Sequence, residues 1–456
     1  MPAPTRRAGP RALGAVQRRP GPSRVSADHE WHRLESQPAL VDALRDEILS
    51  SGAITFARFM SRALYEPGQG YYAVAAPRPG RDGDFLTAPE AHPLFGRTLA
   101  RQIVDCWERL GGPSRFTLRE YGAGSGSLAA PLLATLRDEA PETFAALVYQ
   151  PAEVNPYRLA DLRARLEQEA GVDPLGQGSF VGWVPWIDAP GAAGWAAAKT
   201  PGVPPAASAP SPGSTTARAS VPAADAITGV VIANEFLDAL PVHRVERREG
   251  QLVEIGVGWR DGWFADQPMP LVTPGLRAYL DRAGQVLLEG QRTEVNLELR
   301  PWIEDVARQL ERGWVIVIDY GMPAAELYSQ RRPEGTLKGA ASHAVEVDPY
   351  RRVGRQDLTA HVDLTALERF ARDAGLELTG TTTQAQFLAN LGLGERLVSA
   401  QREARSIAEA LEARSAARWL LDPRGTGGYR VVVLAGAVPR EPPLTGLRRA
   451  AAAGSA

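Results

Sequence analysis

Four short apolar segments, set among helical patterns, constrain the fold of this chain more than any other feature. They are strand-length, rich in β-branched or aromatic residues and nearly continuous in hydrophobicity: Phe116–Tyr121, Leu147–Val154, Gly229–Asn234 and Trp314–Asp319. Such strands are typical of parallel sheets that are covered on both faces. Helical patterns lie between or before them, over Pro93–Leu110, Leu128–Glu139, Pro156–Ala170 and Pro301–Arg312. Strands that alternate with helices predict an α/β fold with a doubly wound sheet.

Two further patterns add to this sheet. Val242–Phe264 contains two β-like runs on either side of Arg248-Glu249-Gly250, which predicts a hairpin that decorates the sheet. Arg430–Leu434 predicts an edge strand, and Ala400–Leu421 before it predicts a helical segment.

Composition divides the chain into regions. Residues 1–24 contain six arginines and no acid, so we expect 1–28 to be a disordered basic tail, with a transit peptide or a basic arm as alternatives. Residues 189–224 are almost entirely Ala, Pro, Gly, Ser and Thr, which predicts a flexible insertion. The remaining predicted regions are an N-terminal helical region at 29–110, the α/β domain at 111–435 with an inserted subdomain at 242–300, and a flexible tail at 436–456.

Bulk composition excludes several classes of protein. The formal net charge is −2, which argues against a dedicated nucleic-acid binder. The single cysteine, Cys106, excludes a disulfide scaffold and predicts a reducing compartment. No apolar run is long enough for a membrane span. Of the 51 Lys and Arg residues only Lys199 and Lys338 are lysines, which indicates a GC-rich bacterial genome and a cytoplasmic protein.

The most informative turn is Leu118–Leu128, which passes from a strand through Gly122, Gly124 and Gly126 into a helix. Glycine allows positive φ there and lets a ligand approach the backbone amides. In a parallel sheet this turn lies beside the switch point where ligands bind. A dinucleotide fingerprint would need glycine or alanine at the position of Ser127, so the match to that motif is incomplete.

Two carboxylates narrow the choice of ligand. Glu153 ends the second strand, where a carboxylate usually binds the ribose hydroxyls. Glu120 precedes the glycine turn, where a negative charge suits a ligand with a positive amino group better than a pyrophosphate. The pair predicts S-adenosylmethionine rather than NAD. The alternative is that Glu120 is an ordinary strand-end residue and that the glycines only form a tight turn.

A third polar cluster follows the strand Gly229–Asn234. Asn234 and Glu235 end this strand, and Asp238 comes three residues later. Polar groups at the carboxyl edge of a sheet point into the ligand crevice. The alternative is a helix start, with Asn234 as the N-cap and the acids in the first turn.

Several segments together resemble the MidA-type methyltransferases, the bacterial and mitochondrial relatives of a complex I assembly factor that acts as a protein arginine methyltransferase. The resemblance covers about residues 40–435 in the same order. The matching segments are Ile54–Met60, Leu64–Tyr72, Gly83–Glu90 with Phe95-Gly96, Glu120–Leu128, Asn234–Val242, Asp319–Gly321, Gly335–Leu337, Gln356–Asp363 and Gln386–Leu388.

This resemblance implies a class I methyltransferase fold that binds S-adenosylmethionine. It implies that Gly122, Gly124 and Gly126 line the methionine part of the cofactor, that Glu153 binds the ribose, and that Asn234 and Glu235 lie at the mouth of the site. The segment 83–90, with Asp84 and Thr87, would cover the cofactor, and 242–300 would be a substrate subdomain. Two departures from the family are the small residues Ala123 and Ser125 in the turn and the insertion at 189–224.

The acceptor implied by the resemblance is a guanidinium, which a carboxylate must bind through its N–H groups. Glu235 is the first candidate for that catalytic role and Asp238 the second, with Asp84 as a further candidate. The expected partners are a protein substrate, such as a respiratory-complex subunit, and a second copy of the chain, in a bacterial cytoplasm or a mitochondrial matrix. The alternatives are a non-catalytic assembly factor that retains a degenerate methyltransferase domain, and an NAD(P)-dependent oxidoreductase.

A metal site is the least favoured hypothesis. The segment His343–Asp363 also contains Asp348, Asp357 and His361, but their spacing matches no standard ligand set. We expect a polar loop that faces the substrate and no metal. Tyr71 and Tyr72 are predicted either to cap the pocket or to pack under the N-terminal helix.

Overall fold

The computed structural model describes residues 31–74, 86–171, 226–271, 273–341, 344–346 and 348–448, with two short strands at 183–184 and 196–197. The predicted basic tail at 1–28 and nearly all of the insertion at 189–224 lie outside the described residues. No helix in the described part of the chain is both long and apolar enough to cross a membrane.

Helices flank the sheets throughout the chain. They are α1 (Pro38–Ser51), α2 (Phe56–Tyr65), α3 (Ala88–Ala91), α4 (Leu94–Arg109), α5 (Ala129–Glu139), α6 (Pro141–Ala146), α7 (Pro156–Ala170), α8 (Leu276–Ala283), α9 (Leu299–Gln309), α10 (Ala324–Leu327), α11 (Leu364–Asp373), α12 (Gln384–Asn390), α13 (Leu393–Glu403) and α14 (Ile407–Leu421).

The strands belong to a main sheet, a second sheet and shorter ladders. They are β1 (Ile54–Thr55), β2 (Phe116–Tyr121), β3 (Leu147–Ala152), β4 (Trp183–Val184), β5 (Ala196–Ala197), β6 (Ile227–Asn234), β7 (His243–Arg248), β8 (Gln251–Arg260), β9 (Trp263–Pro270), β10 (Arg292–Val295), β11 (Leu310–Asp319), β12 (Gly321–Met322), β13 (Lys338–Ala341), β14 (Ala344–Glu346), β15 (Asp357–Thr359), β16 (Val362–Asp363), β17 (Glu377–Thr383) and β18 (Arg430–Gly436).

The main sheet has the strand order β17-β18-β11-β6-β2-β3. Strands β3, β2, β6 and β11 are parallel, and β18 runs antiparallel to both of its neighbours. The chain goes from β2 outward to β3 and then returns to the other side of β2 with β6. This reversal places the switch point of the doubly wound sheet between β2 and β6.

Burial on both faces explains why the central strands are continuously apolar. In β6, Val230 and Ile232 belong to the core formed with α4, α5, α7, α12 and α14. Val231 and Ala233 face the opposite core, which contains residues of α8, α9 and α11. Each face of the strand therefore needs its own apolar side chains.

Three sequence predictions differ from this architecture. Arg430–Leu434 was expected at the sheet edge, but β18 lies one strand inside it, because β17 pairs along its outer side. The helix expected at Pro301–Arg312 is α9, which starts at Leu299 and ends at Gln309, where the chain already enters β11. The expected helical segment Ala400–Leu421 is divided between α13 and α14.

The hairpin predicted within Val242–Phe264 forms from β7 and β8, with positive φ at Glu249 and Gly250 in the turn. It does not extend the main sheet. Together with β1, β9 and β10 it builds a separate antiparallel sheet, so the strand Ile54–Thr55 contributes to the predicted subdomain at 242–300. A third hydrophobic core contains residues of α1, α2 and this second sheet.

The segment after β18 is packed rather than free over the residues that the structure describes. Leu444 is buried, and the Thr445 and Gly446 N–H groups donate to the Asp105 and Gln102 side chains of α4 at 2.8 and 2.9 Å. The described part of the flexible tail expected at 436–456, which ends at Arg448, is therefore held in place by apolar and polar contacts with α4.

Candidate functional site

A cavity of about 660 Å³ lies at the carboxyl ends of the parallel strands. Three parts of the chain surround it. They are the glycine turn after β2 with the end of β3, the residues 234–239 after β6, and a wall formed by residues from 65–72 and 86–90 and by residues between 320 and 430. The cavity therefore coincides with the switch point, where open α/β sheets bind ligands.

The three glycines of the turn adopt left-handed backbone conformations, with φ of 68° at Gly122, 54° at Gly124 and 81° at Gly126. Gly122 and Gly124 line the cavity. A Cβ at Gly124 would enter open space, whereas one at Gly126 would lie 3.3 Å from the Leu162 Cγ of α7. Gly126, which we expected to contact a cofactor, instead allows α7 to pack closely against the turn.

Glu153 directly follows β3 and is buried beside this turn. Its Oε2 accepts a hydrogen bond from Gly124 N–H at 2.9 Å, and its Oε1 accepts one from Asn155 N–H at 2.9 Å. Burial raises the pKa of Glu153, and the hydrogen bonds from Asn155 and Gly124 oppose this rise. Each oxygen keeps a further lone pair, so the carboxylate is fixed in position and can still bind a diol.

Asn155 is a positioning residue that the sequence analysis missed. Its Oδ1 caps α7 by accepting hydrogen bonds from the Tyr157 and Arg158 N–H groups. Its Nδ2 donates to the carbonyl oxygens of Tyr72 and Val74 at 2.8 and 2.9 Å. The N-terminal segment is thereby attached to the end of β3. The signal in the sequence was an Asn directly before the proline at the first position of a helix.

Glu120 is buried in β2 and lines the cavity. Its Oε2 accepts a hydrogen bond from the Tyr149 hydroxyl at 2.6 Å. Burial raises the pKa of Glu120 to about 8, while the Tyr149 hydroxyl opposes the rise and the negative charge of Glu153 adds to it. The carboxyl group is therefore largely protonated at neutral pH until a cation binds beside it.

Asn234 and Glu235 lie where β6 ends. Glu235 has a φ of 47°, a strained conformation for a residue with a side chain, and its N–H donates to the Ile318 carbonyl at 2.8 Å. Its Oε1 accepts hydrogen bonds from Ala88 N–H at 2.8 Å and Asn234 Nδ2 at 3.2 Å. The Asn234 Oδ1 is buried and has no hydrogen-bond partner. Burial raises the pKa of Glu235 to about 8, and the negative charge of Asp238 contributes to the rise.

Asp319, at the end of β11, holds the segment that follows Glu235. Its Oδ2 accepts hydrogen bonds from the N–H groups of Phe236, Leu237 and Asp238 at 3.2, 2.9 and 3.3 Å. Its Oδ1 accepts one from Tyr320 N–H at 2.8 Å. Burial, and then the negative charges of Asp238 and Glu235, raise the pKa of Asp319 well above its ordinary value. The signal in the sequence was a polar residue at the end of a strand, which is the same kind of signal that identified Asn234.

Asp238 lies in a short 3₁₀ turn, Leu237–Ala239, and lines the cavity. Among the described residues, the buried Asp238 Oδ1 has no hydrogen-bond partner. Burial raises the pKa of Asp238 to about 6, and the nearby hydroxyl of Tyr320 opposes this rise. The structure thus brings both predicted catalytic carboxylates, Glu235 and Asp238, into one cavity.

Two stacked tyrosines complete the wall on the N-terminal side. The rings of Tyr65 and Tyr72 lie 5.6 Å apart at 21°. The Tyr65 hydroxyl donates to the Ala239 carbonyl, and the Tyr72 hydroxyl donates to the Asp357 Oδ1, both at 2.9 Å. Tyr72 therefore lines the pocket, whereas Tyr71 is fully buried in the third core.

Thr87 also lines the cavity, at the start of α3. Its Oγ1 donates to Glu90 Oε2 at 2.9 Å, and the next residue, Ala88, supplies the N–H that binds Glu235. The segment with Thr87 therefore contacts the site directly. Asp84, the other residue predicted from this motif, lies outside the described residues.

The residues considered for a metal site have separate environments. Asp363 caps α11 through Ala366 N–H and accepts hydrogen bonds from the hydroxyls of Tyr279 and Tyr328. Asp348 accepts the N–H of Tyr350 at 2.9 Å. Asp357 and His361 line the cavity. His343 lies outside the described residues, and among those described no group of three or more His, Cys, Asp or Glu is arranged to hold a metal ion.

Comparisons with known proteins agree on one family. Residues 98–382 match the sequence profile of a family described as S-adenosyl-L-methionine-dependent methyltransferases. A protein arginine methyltransferase NDUFAF7 homolog, mitochondrial, from Drosophila melanogaster is 27% identical over 85% of this chain and 83% of its own length. The human mitochondrial protein arginine methyltransferase NDUFAF7 is 27% identical over 77% of this chain and 73% of its own length.

A solved structure supports the same family and matches nearly the whole chain. A Burkholderia thailandensis protein, crystallised with bound S-adenosyl-homocysteine, is 31% identical, with a TM-score of 0.73 over 95% of this chain and 98% of that chain. The profile match spans more than half of the sequence, and the fold, the glycine turn and the strand-end carboxylates all agree with it. The chain belongs to this family of class I S-adenosylmethionine-dependent methyltransferases.

Proposed function

We propose that this methyltransferase transfers a methyl group to an arginine side chain of a protein. The observation that carries the proposal is a pair of buried acceptor atoms without hydrogen-bond partners, Asn234 Oδ1 and Asp238 Oδ1, on either side of Glu235. Buried polar atoms normally have partners. A guanidinium, with five N–H donors and no acceptor, is the kind of group that could satisfy both of these acceptors.

The cofactor supplies a methyl group on a positively charged sulfur. The residues on the β2 side of the cavity fit it. Gly122 and Gly124 line the cavity at the turn, and a Cβ at Gly124 would meet only the Gly122 carbonyl oxygen, at 3.9 Å. Glu153 presents its remaining lone pairs to ribose hydroxyls, and Glu120, with its raised pKa, becomes ionised when a positive amino group binds nearby.

The acceptor side would use the carboxyl groups that follow β6. Glu235 is held by Ala88 N–H and Asn234 Nδ2 through one oxygen, Oε1, which leaves Oε2 for the guanidinium. Asp238 adds its free Oδ1. A guanidinium stays protonated at all ordinary pH values, so its arrival lowers the pKa of both carboxyls and produces a charge-assisted pair. The enzyme thereby aligns one nitrogen with the methyl group.

Substitution of Glu235 by Gln tests this assignment. Glutamine keeps the length of the side chain and an oxygen for Ala88 N–H, but it cannot carry the negative charge that fixes a guanidinium. We expect cofactor affinity, measured by calorimetry with S-adenosylhomocysteine, to change less than about twofold. We expect methyl transfer to arginine to fall by about 100-fold or more, in line with the loss of one charged group in a transition state.

The matched control is Glu90→Gln, which alters a neighbouring carboxyl on α3 that hydrogen-bonds to Thr87 rather than to Asn234. A Glu235→Gln variant that forms methylarginine at the wild-type rate would refute the assignment. Mass spectrometry of methylated arginines in a gene-deletion strain and its parent identifies the substrate. If the two strains have the same methylarginines and the protein still captures a partner, the non-catalytic assembly factor is the better description.

The relatives also direct the search for the substrate. They are named as mitochondrial arginine methyltransferases, and we propose a protein of a respiratory complex as the first candidate acceptor. The same chemistry would serve in a bacterial cytoplasm or a mitochondrial matrix. Self-association of the chain stays a prediction.

A further inference from the structure

One polar side chain at the acceptor end of the cavity has no place in the scheme above. His361 lines the same cavity as Glu235 and Asp238. Its Nδ1 atom is buried and has no hydrogen-bond partner. An unsatisfied ring nitrogen costs free energy in the folded protein, so it points to a ligand group that binds there or to a proton that passes through it.

Backbone hydrogen bonds of the residues on both sides of His361 fix its position relative to Asp238 and Tyr320. The N–H of the preceding residue, Ala360, donates to the Asp238 carbonyl at 2.9 Å, and the N–H of the following residue, Val362, donates to the Tyr320 carbonyl at 3.1 Å. The His361 N–H donates to Thr336 Oγ1 at 3.1 Å. These three bonds leave the imidazole ring as the part of the residue that reaches the cavity.

The ring lies beside Tyr320. The centroids of the His361 and Tyr320 rings are 5.3 Å apart in an edge-to-face arrangement. Tyr320 and Asp238 lie close enough to shift each other's pKa. His361, Tyr320 and Asp238 therefore lie in one part of the cavity wall.

We propose that His361 accepts the proton that the arginine nitrogen loses when it is methylated, which rests on the proposed function. In this step the nitrogen forms a bond to the methyl carbon, and the carbon–sulfur bond breaks with its electron pair left on sulfur. The N–H proton moves to the unprotonated ring nitrogen of His361. The methylated guanidinium keeps its single positive charge, and the imidazolium then gives the proton to water.

The surroundings of His361 keep its ring unprotonated before the reaction. Burial, with the positive charges of Lys338 and Arg332, lowers the pKa of His361 to about 4. The ring is therefore neutral and ready to accept a proton at any pH above about 5. The attacking nitrogen becomes far more acidic as its fourth bond forms, so a weak base suffices. Protonation of Glu235 or Asp238 instead would remove the negative charge that holds the guanidinium.

A histidine with this low pKa also releases its proton readily. Lys338 on β13 and Arg332 before it repel an imidazolium, while Tyr320 lies edge-to-face beside the ring. The proton would therefore pass to solvent through the open cavity, and the base would be restored before the next turnover.

Chemical rescue tests the proposal. Wild type, His361→Ala and Glu235→Gln are each given S-adenosylmethionine and the soluble proteins of a gene-deletion strain, and methylarginine is measured with and without imidazole. We expect His361→Ala to lose about 100-fold in rate, with S-adenosylhomocysteine affinity within twofold of wild type, and to regain at least tenfold with imidazole. Imidazole should not accelerate Glu235→Gln, because that variant lacks a carboxylate and not an imidazole ring.

His361→Gln provides a second variant that retains the hydrogen-bonding capacity of the side chain but cannot accept a proton at neutral pH. It should be as slow as His361→Ala. Nitrogen NMR of labelled histidine, with His361 assigned from the spectrum of the variant, should show a neutral imidazole from pH 5 to pH 9.

Three results overturn the proposal. A wild-type rate for His361→Ala or His361→Gln, failure of imidazole to accelerate a slow His361→Ala protein, or an imidazolium signal at pH 7 would each do so without affecting the proposed function. Absence of methylarginine with the wild-type protein would overturn both.

Discussion

Removal of the Asp319 carboxylate should detach residues 236–238, which follow Glu235 and include Asp238. Four backbone N–H groups donate to this side chain, three of them from residues 236–238. Asp319 is 1% exposed, so water cannot replace the lost partner. At about 1 kcal/mol for each orphaned buried N–H, Asp319→Ala should lower the free energy of unfolding by about 4 kcal/mol. That is a large share of the total stability of a typical protein.

Asp319→Asn separates the hydrogen bonds from the charge. An asparagine oxygen can accept from the N–H groups of Phe236, Leu237 and Asp238, while its NH₂ group meets Tyr320 N–H and loses that bond. The loss of about 1 kcal/mol is offset because a negative charge beside Asp238 and Glu235 disappears. We expect the stability of this variant to lie within about 1 kcal/mol of wild type.

Urea unfolding followed by tryptophan fluorescence measures both effects. Glu254→Ala, a buried carboxyl of the second sheet that binds His243 and Thr273, is the control that lowers stability away from the site. In folded Asp319→Ala protein, methyl transfer should fall by more than S-adenosylhomocysteine affinity does. If Asp319→Ala unfolds within about 1 kcal/mol of wild type, the carboxylate does not hold the segment and the reasoning fails.

Three further predictions concern glycine positions and pH. Gly124→Ala should weaken S-adenosylhomocysteine binding by about tenfold in calorimetry, because φ of 54° strains alanine by about 1 kcal/mol in a turn that lines the cavity, whereas Gly126→Ala should lose stability and keep its affinity. Gly229→Ala should give no folded protein by circular dichroism, because its Cβ would collide with the Thr117 carbonyl of β2; normal expression and folding would contradict the strand packing. The pKa values of Glu120 and Glu235, raised to about 8 in the fold, mean that their protonated forms stabilise the ligand-free protein at low pH and that this stabilisation is lost as the pH rises through about 8. The thermal midpoint should therefore fall between about pH 5 and pH 8 while S-adenosylmethionine affinity rises, and the opposite signs would refute the assignment.

Sequence reasoning located the first half of the site better than the second. Phe116–Tyr121 and Pro156–Ala170 have the predicted bounds because each combines a clear periodicity with a clear end, a glycine turn after the strand and an Asn-Pro pair before the helix. Glycine at positive φ and a carboxylate at a strand end are local signals, so Gly122 and Glu153 could be identified from their neighbours.

The residues on the other walls of the cavity have no such local signal in the sequence. Tyr72, Tyr320 and His361 come from separate parts of the sequence and meet only through tertiary contacts, such as the backbone hydrogen bonds of Ala360 and Val362 and the Tyr72 hydroxyl bond to Asp357. Periodicity does not reveal which loops come together. Asp319 is the exception, because the rule that selected Asn234 at the end of one strand applies equally at the end of the next.

The electrostatics of the cavity explain why these carboxyls are buried at all. Burial raises the pKa values of Glu120, Glu235 and Asp238, so the ligand-free site destabilises their charged forms, at some cost to the stability of the fold. A positively charged cofactor on the β2 side and a cationic guanidinium on the β6 side would reverse that effect, because each lowers the pKa of the carboxyl beside it. Each cation then releases the free energy stored in the buried carboxyl beside it. A neutral acceptor of the same shape gains none of it, and this difference would give the site its selectivity for arginine.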